Sequence, residues 1–270
     1  MRRSFLAAMM VCAASAAQAA DMPDLPILRG TQGLSSTQIN WQGFYVGGQA
    51  GYGTSNMNFT NSTQQLAARL LANTAIENAG GVAEWPELGK VSVHGNGYGG
   101  FFGYNSQWDD VVIGVELSYL HGKFGGSQTD SMTRIFNDST GSQDTVTNQS
   151  FASINITDTG TLRARAAYSW GVFLPYMFGG AALGQADIVR TATIFGNQHH
   201  VGPPVQDFPF FVTATEQQNS HLIYGYTGGL GVDVMLISCL FLRAEWEYVR
   251  WATVIDTSVN TVRLGLGYKF

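Results

Sequence analysis

The 270-residue chain has only 12% charged residues, alongside 33 glycines, about half the charged share of an ordinary soluble domain. A net charge of -5 and the lack of any basic run argue against a nucleic-acid partner, and none is expected. Mean hydropathy sits near zero; the missing charge is not replaced by long apolar runs, which suits apolar residues laid out in narrow alternating stripes.

The chain opens with Arg2 and Arg3, a short apolar stretch over residues 5–17, and Ala17-Gln18-Ala19. This order of positive, apolar and small residues reads as a signal peptide over 1–19, with the mature chain starting at Ala20. Cys12 follows Met9-Met10-Val11 rather than small residues, which disfavours a lipoprotein box. Cleavage would leave Cys239 alone, so no intramolecular disulfide is expected. The apolar stretch is too short to span a bilayer as a helix, and no later segment has about 18 uninterrupted apolar residues. If the chain enters a membrane it does so as a closed barrel, the other structure that satisfies its backbone in lipid. Residues 20–40, with Pro23 and Pro26 and no steady alternation, read as a periplasmic tether.

The first clear strand follows in Trp41-Gln42-Gly43-Phe44-Tyr45-Val46-Gly47-Gly48-Gln49-Ala50-Gly51-Tyr52-Gly53. Successive side chains of a strand point to opposite faces. Phe44, Val46, Ala50 and Tyr52 share one face and Gly47, Gln49, Gly51 and Gly53 the other. Alternation places further strands near 91–107, 111–124, 151–170, 174–194, 221–236 and 240–254, and in the last eleven residues, 260–270. In the second, Tyr98, Phe102 and Tyr104 share a face. In the third, Val111, Ile113, Val115, Leu117 and Tyr119 oppose Glu116 and Ser118. In the fourth, Leu162, Ala164, Ala166, Tyr168 and Trp170 oppose Arg163 and Arg165. The fifth is weaker, with Tyr176 and Phe178 expected outward against Gln185 and Asp187. Tyr224, Tyr226, Leu230, Val232 and Val234 oppose Asp233 in the sixth; Leu240, Leu242, Trp246 and Tyr248 oppose Arg243, Glu245 and Glu247 in the seventh. In the last, Val262, Leu264, Leu266, Tyr268 and Phe270 oppose Arg263 and Lys269.

Connections alternate in length. Those near 108–110, 171–173 and 237–239 are short, those over 54–90, 125–150 and 195–220 are long, and only the last outer one, 255–259, is brief. Short periplasmic turns and longer outer loops are the habit of outer-membrane barrels. The expected fold is therefore all-β, an eight-stranded antiparallel transmembrane β-barrel over 41–270. A soluble sandwich or lipocalin-like barrel also alternates, but it would turn the aromatic face into an interior that eight strands can barely hold. Charge placement favours lipid outside: Glu116, Arg163, Arg165, Asp187, Asp233, Arg243, Glu245, Glu247, Arg263 and Lys269 all oppose the large apolar residues. Lys123, Asp158, Arg190 and Arg250 break that parity, but toward outer strand ends, beyond the roughly 9–11 tilted residues that cross the hydrocarbon. The ten opposed charges are expected to form a mixed-sign network in the lumen, since buried charges persist when paired. The network either fills the barrel or lines a narrow gated path.

Other candidates carry less. Residues 62–76, with Ser62 and Gln65 as a capping box and Gly80-Gly81 as a stop, predict a surface helix with Leu66 and Leu70 on one face. His199-His200 lack a third ligand at a recognised spacing, so no metal site is expected. Pro203-Pro204-Val205-Gln206-Asp207-Phe208-Pro209-Phe210-Phe211 predicts an apolar loop tip that folds over the barrel mouth or contacts lipid, lipopolysaccharide or a partner. Ser92 and His94 share a strand face near the outer rim, without a positioned acid. No phosphate loop, CxxC or HExxH motif occurs, and no cofactor is expected.

The mature start Asp21-Met22-Pro23-Asp24-Leu25-Pro26, then Trp41-Gln42-Gly43-Phe44-Tyr45-Val46-Gly47-Gly48, Phe102-Gly103-Tyr104-Asn105, Ile113-Gly114-Val115-Glu116 and the terminal Gly267-Tyr268-Lys269-Phe270 give the chain a family likeness. It resembles the small porin-like, outer-membrane immunogenic proteins of alphaproteobacteria. That resemblance implies an abundant, surface-exposed eight-stranded barrel and assigns no active residues. It also implies that Tyr268 and Phe270 form the signal read by the barrel-assembly machinery, with outer-membrane lipids and lipopolysaccharide as surroundings. The expected role is in envelope integrity and surface properties, with narrow porin-like permeability as an option. A lipid-modifying enzyme and a surface adhesin are the alternatives.

Overall fold

The computed structural model describes residues 39–85, 88–138, 141–200 and 206–270; the expected signal peptide, and all of the expected tether except residues 39 and 40, lie outside them. Eight antiparallel strands close into one barrel in sequence order: β1 Gly43–Asn58, β2 Lys90–Trp108, β3 Val111–Asn137, β4 Ser142–Tyr168, β5 Phe173–His200, β6 Gln206–Ile237, β7 Leu240–Trp251 and β8 Asp256–Lys269. β8 closes the ring on β1, pairing Val262 with Tyr52 and Leu264 with Ala50. Where all eight strands pair, closure removes the sheet edges that would otherwise carry unpaired backbone groups.

Outward positions along the strands are large, apolar and exposed, among them Val115, Leu162, Leu230, Leu264 and Leu266. Exposed aromatic residues flank them at both ends. Phe44, Trp108, Tyr168, Trp170, Tyr268 and Phe270 stand at the end of the short turns; Tyr52, Tyr98, Tyr119 and Tyr224 stand toward the loops. A band bounded by two aromatic girdles is the outer surface of a barrel solvated by lipid.

Two of the expected long loops are not loops. β3 pairs with β2 only as far as Lys123 but continues with β4 to Asn137, and β6 pairs with β7 only from Gly225 onward while reaching Gln206 beside β5. The barrel wall therefore continues as a four-stranded sheet, β3-β4-β5-β6, beyond the loop-side girdle. The sheet's outer face is uncharged and polar over its middle, with cross-strand hydroxyl pairs Thr133–Thr147 at 2.8 Å and Thr191–Thr215 and Thr193–Thr213 at 3.0 Å. That polar face lacks the apolar stripe by which lipid-facing strands are recognised.

The sheet's inner face is covered by the β1–β2 connection. This holds α1 (Gln64–Leu70), α2 (Ala75–Gly80) and a 3-10 turn, Val82–Glu84. Leu66, Ala67, Leu71, Val82, Ala83 and Trp85 pack with Val146, Ala192 and Ile194 of the sheet, and Leu70 lies against them. The expected single helix is thus two. The Ser62–Gln65 capping box does not form, because Thr63 takes the N-cap position and its hydroxyl donates to Ser150 Oγ at 2.9 Å. Thr74 caps α2 instead, accepting from the Glu77 N–H at 3.2 Å. Gly81, at φ 54°, ends it in the left-handed conformation that glycine adopts without strain.

Candidate functional site

Inside the ring the residues sort by height. At the turn end Trp41, Phe101, Val112, Leu174, Met235 and Phe241 form one apolar layer. Toward the loops Leu120, Phe124, Ile156, Trp251, Ile255 and Val259 belong to a second. Between the two layers lie four arginines and four carboxylates, each no more than 3% exposed: Arg163, Arg165, Arg243 and Arg263 with Glu116, Asp233, Glu245 and Glu247.

These eight balance in formal charge and share one network. Arg163 donates to Glu116, to Glu245 Oε1 at 2.6 Å and to Glu247 Oε1 at 3.3 Å. Arg165 reaches Asp233 Oδ2 at 2.7 Å and Glu116 Oε2 at 3.3 Å. Arg243 grips Asp233 through Nε at 2.8 Å and Nη2 at 3.1 Å, and reaches Glu116 Oε2 at 2.8 Å. Arg263 pairs with Glu247. Charge-assisted, multidentate bonds of this kind are about twice as strong as neutral ones, and they satisfy charges whose burial would otherwise be prohibitive.

Neutral residues to which the sequence reading assigned no lumen role complete the belt. The Tyr45 hydroxyl donates to Glu116 Oε2 at 2.7 Å, the Tyr176 hydroxyl to Glu245 Oε2 at 2.8 Å and the Thr227 hydroxyl to Glu247 Oε1 at 2.6 Å. Ring faces cover the guanidiniums: Arg165 lies 3.9 Å from the Tyr176 centroid, Arg243 3.9 Å from that of Phe101 and Arg163 4.2 Å from that of Phe178.

Two charges assigned to the lumen lie elsewhere. The expectation for β5 had its faces reversed: Tyr176 and Phe178 point inward and Asp187 outward, where its Oδ1 accepts from the Ser220 N–H at 2.7 Å. The inward rings fit because β6 carries glycine opposite them; a Cβ on Gly231 would sit 2.4 Å from the Tyr176 ring. Lys269 stays on the inward side but at the turn-end rim, donating to the Gln42 carbonyl at 3.1 Å. Arg190, expected outward, points inside the sheet. It joins Glu216, which also pairs with Arg69 of α1 at 2.7 Å, and donates to the Ser62 carbonyl at 3.0 Å.

The remaining candidates do not assemble. Ser92 donates to Asn56 Oδ1 at 2.7 Å while His94 bonds Thr54 Oγ1 at 3.0 Å, so neither engages the other. His199 meets Asp207 at 2.6 Å and His200 meets Ser142 at 3.3 Å, from opposite faces of the sheet. Among the described residues no group of three or more His, Cys, Asp or Glu is placed to hold a metal. The apolar 203–211 stretch lies partly outside the described residues; its part from Gln206 onward is strand, with Phe208 and Phe211 exposed.

One titration is built into the extended sheet. Asp144 is buried between Phe136 and Gln198 on the inner face. Burial, and then the like charge of Asp138, hold its carboxyl above the ordinary value, with the Gln198 amide opposing. A folded-state value above the unfolded one penalises the ionised form at neutral pH, and the penalty fades as pH falls through the raised value. Asp144→Asn is therefore expected to slow amide hydrogen exchange along residues 142–148 at pH 7 and to flatten its pH dependence. Unchanged or faster exchange would contradict this reading.

Comparison with known proteins agrees with this architecture. The model of the outer membrane protein beta-barrel domain matches residues 4–270. The 25 kDa outer-membrane immunogenic protein of Brucella ovis is 28% identical over 173 residues, 64% of this chain and 62% of that protein, so the match spans less than two thirds of the relative. Among solved structures, the attachment invasion locus protein Ail of Yersinia pestis aligns at 13% identity and a TM-score of 0.37, covering 85% of this chain and 99% of Ail. Neisserial surface protein A aligns at 12% identity and a TM-score of 0.35, covering 84% and 97%.

Proposed function

The chain belongs to the outer membrane protein beta-barrel domain family and is an integral barrel of the outer membrane; from that premise we propose that it serves as a closed structural and surface protein rather than as a pore. The observation that carries this reading is the filled lumen. A charge-balanced, buried belt lies between two apolar layers, and an ion crossing it would have to break several buried pairs at once. Eight strands leave an interior just wide enough for side chains to fill. In planar bilayers the purified protein is expected to give no stepwise conductance; reproducible steps that scale with salt would overturn the closed reading and restore the narrow-pore one.

The same proposal makes the protein non-enzymatic, in keeping with the separate partners of Ser92 and His94. Its test is the lipid A and phospholipid profile of cells lacking the protein, in which any specific change would favour a lipid-modifying enzyme. Outer-membrane lipid and lipopolysaccharide are its proposed surroundings. Tyr268 and Phe270, exposed at the turn-end rim with the Phe270 N–H donating to the Phe44 carbonyl at 2.9 Å, are the proposed mark for the assembly machinery. A surface-binding role is favoured by one further observation, the four-stranded sheet that carries Phe208, Phe211 and Ile135 exposed above the membrane.

A further inference from the structure

The barrel wall is uneven in height. β7 stops at Trp251 and the chain turns back into β8 at Asp256, whereas its neighbour β6 rises a further nineteen residues beyond Gly225, paired with β5, to a described end at Gln206. The step leaves a lateral notch of about 700 Å³ between the β6 flank and the β7–β8 turn. Ligand pockets commonly fall within about 300–1,000 Å³.

The notch is amphipathic in a definite order. Its floor includes Ile188, Ile223 and Trp251, all buried members of the upper apolar layer. Its rim carries His221, Arg250 and Asp256, with Arg250 Nη2 3.0 Å from Asp256 Oδ2 and about half of each side chain exposed. Tyr224, one of the exposed loop-side girdle aromatics, also lines it, which sets the notch at the height of lipid headgroups.

We propose that the notch is a binding site for one phosphate-bearing amphiphile of the outer leaflet. The acyl chain lies along Leu222 and Val254, the exposed apolar side chains that line the notch, above its buried Ile188–Ile223–Trp251 floor. The phosphate is held by Arg250 and His221. Asp256 keeps Arg250 turned toward the rim, and its carboxylate matches an amine where the headgroup carries one. The inference deepens the lipid-contact part of the proposed function, which it presupposes, and it is independent of whether the lumen conducts.

The test uses the full-length protein released in mild detergent, with native mass spectrometry counting retained lipid. The probes are dihexanoyl phosphatidic acid and, as the uncharged partner, dihexanoylglycerol. Wild-type protein is expected to retain one phosphatidic acid saturably. Val254→Trp, which fills the notch from its exposed rim, should abolish retention, and the double variant Arg250→Gln/His221→Gln should weaken it about tenfold or more, the worth of one charge-assisted bond. Heat-dependent gel mobility confirms that each variant is folded. Equal retention by wild type and Val254→Trp, or equal binding of the uncharged probe, overturns the proposal. Loss in Val254→Trp alone overturns the phosphate assignment. Parallel arms with phosphatidylethanolamine and with lipopolysaccharide identify which natural source supplies the phosphate. Failure here leaves the bilayer-conductance result untouched, so the two readings fall separately.

Discussion

Replacing Arg243 with methionine is expected to cost the barrel about 3–5 kcal/mol, the usual penalty for breaking a buried ion pair from one side. Arg243 is fully buried, and its three nitrogens reach two carboxylates while its guanidinium covers the Phe101 ring. Methionine fills much of the volume but leaves Asp233 on Arg165 alone and Glu116 on Arg163 and Arg165. The belt then carries three positive charges against four negative ones among side chains no more than 3% exposed. Arg243→Lys keeps the charge but presents one ammonium where a planar fork bridged two acids, so an intermediate loss is expected. Arg243→Met/Asp233→Asn restores neutrality and should recover part of the loss, giving a coupling that single variants cannot reveal. Urea unfolding of protein folded into phosphocholine vesicles measures all three. A loss below about 1 kcal/mol for Arg243→Met, in the range of an exposed pair, would mean that the belt is wet, and with it the closed-lumen reading would fail.

The belt was legible wherever the two faces of a strand meet different solvents. Arg163 and Arg165 alternate with Leu162, Ala164 and Ala166, and Glu245 and Glu247 alternate with Trp246 and Tyr248; lipid on one side and ion pairs on the other leave a period of two that nothing else produces. β5 defeats this logic because both of its lower faces are apolar. Leu174, Tyr176 and Phe178 point into the lumen while Phe173, Met177 and Leu183 meet lipid. The inward rings are there to cover guanidiniums on other strands, a reason that no local pattern in β5 records, and Asp187 was misplaced with them. Tyr45 went unassigned for a related cause: its role depends on Glu116, 71 residues away. Arg190, on the same parity as Tyr176 and Phe178, was misplaced by the same reversal, whereas the four-stranded sheet was hidden differently. Above the girdle the outer solvent changes from lipid to water, so the inside of the wall becomes the more apolar face and the polarity of the alternation inverts. The extra residue at Thr157, where the β4–β5 register shifts, moves the inward set on β4 from odd positions such as Arg163 to even ones such as Ile154 and Ile156.

That inversion makes the lipid face itself testable, by a substitution whose sign depends on the solvent outside. Leu264 is 60% exposed on β8, four residues from Tyr268 at the turn-end girdle and four from Asn260 at the loop end, close to the middle of the crossing. On a water-soluble barrel, arginine at so exposed a position would be neutral within about 0.5 kcal/mol, as surface changes usually are. In the outer membrane the guanidinium has no water within reach, and Leu264→Arg is expected to cost about 2–4 kcal/mol. Val111→Arg, at the turn end of β3, places the same group where it reaches the interface and should cost only about 0–1 kcal/mol. Both variants leave the lumen belt intact, because β8 directs Arg263 inward and Leu264 outward. The contrast between them therefore reports depth in the bilayer alone. Equal, small losses at the two positions in vesicles would mean that the exposed apolar band does not face hydrocarbon, and the girdles on either side of it would need another explanation.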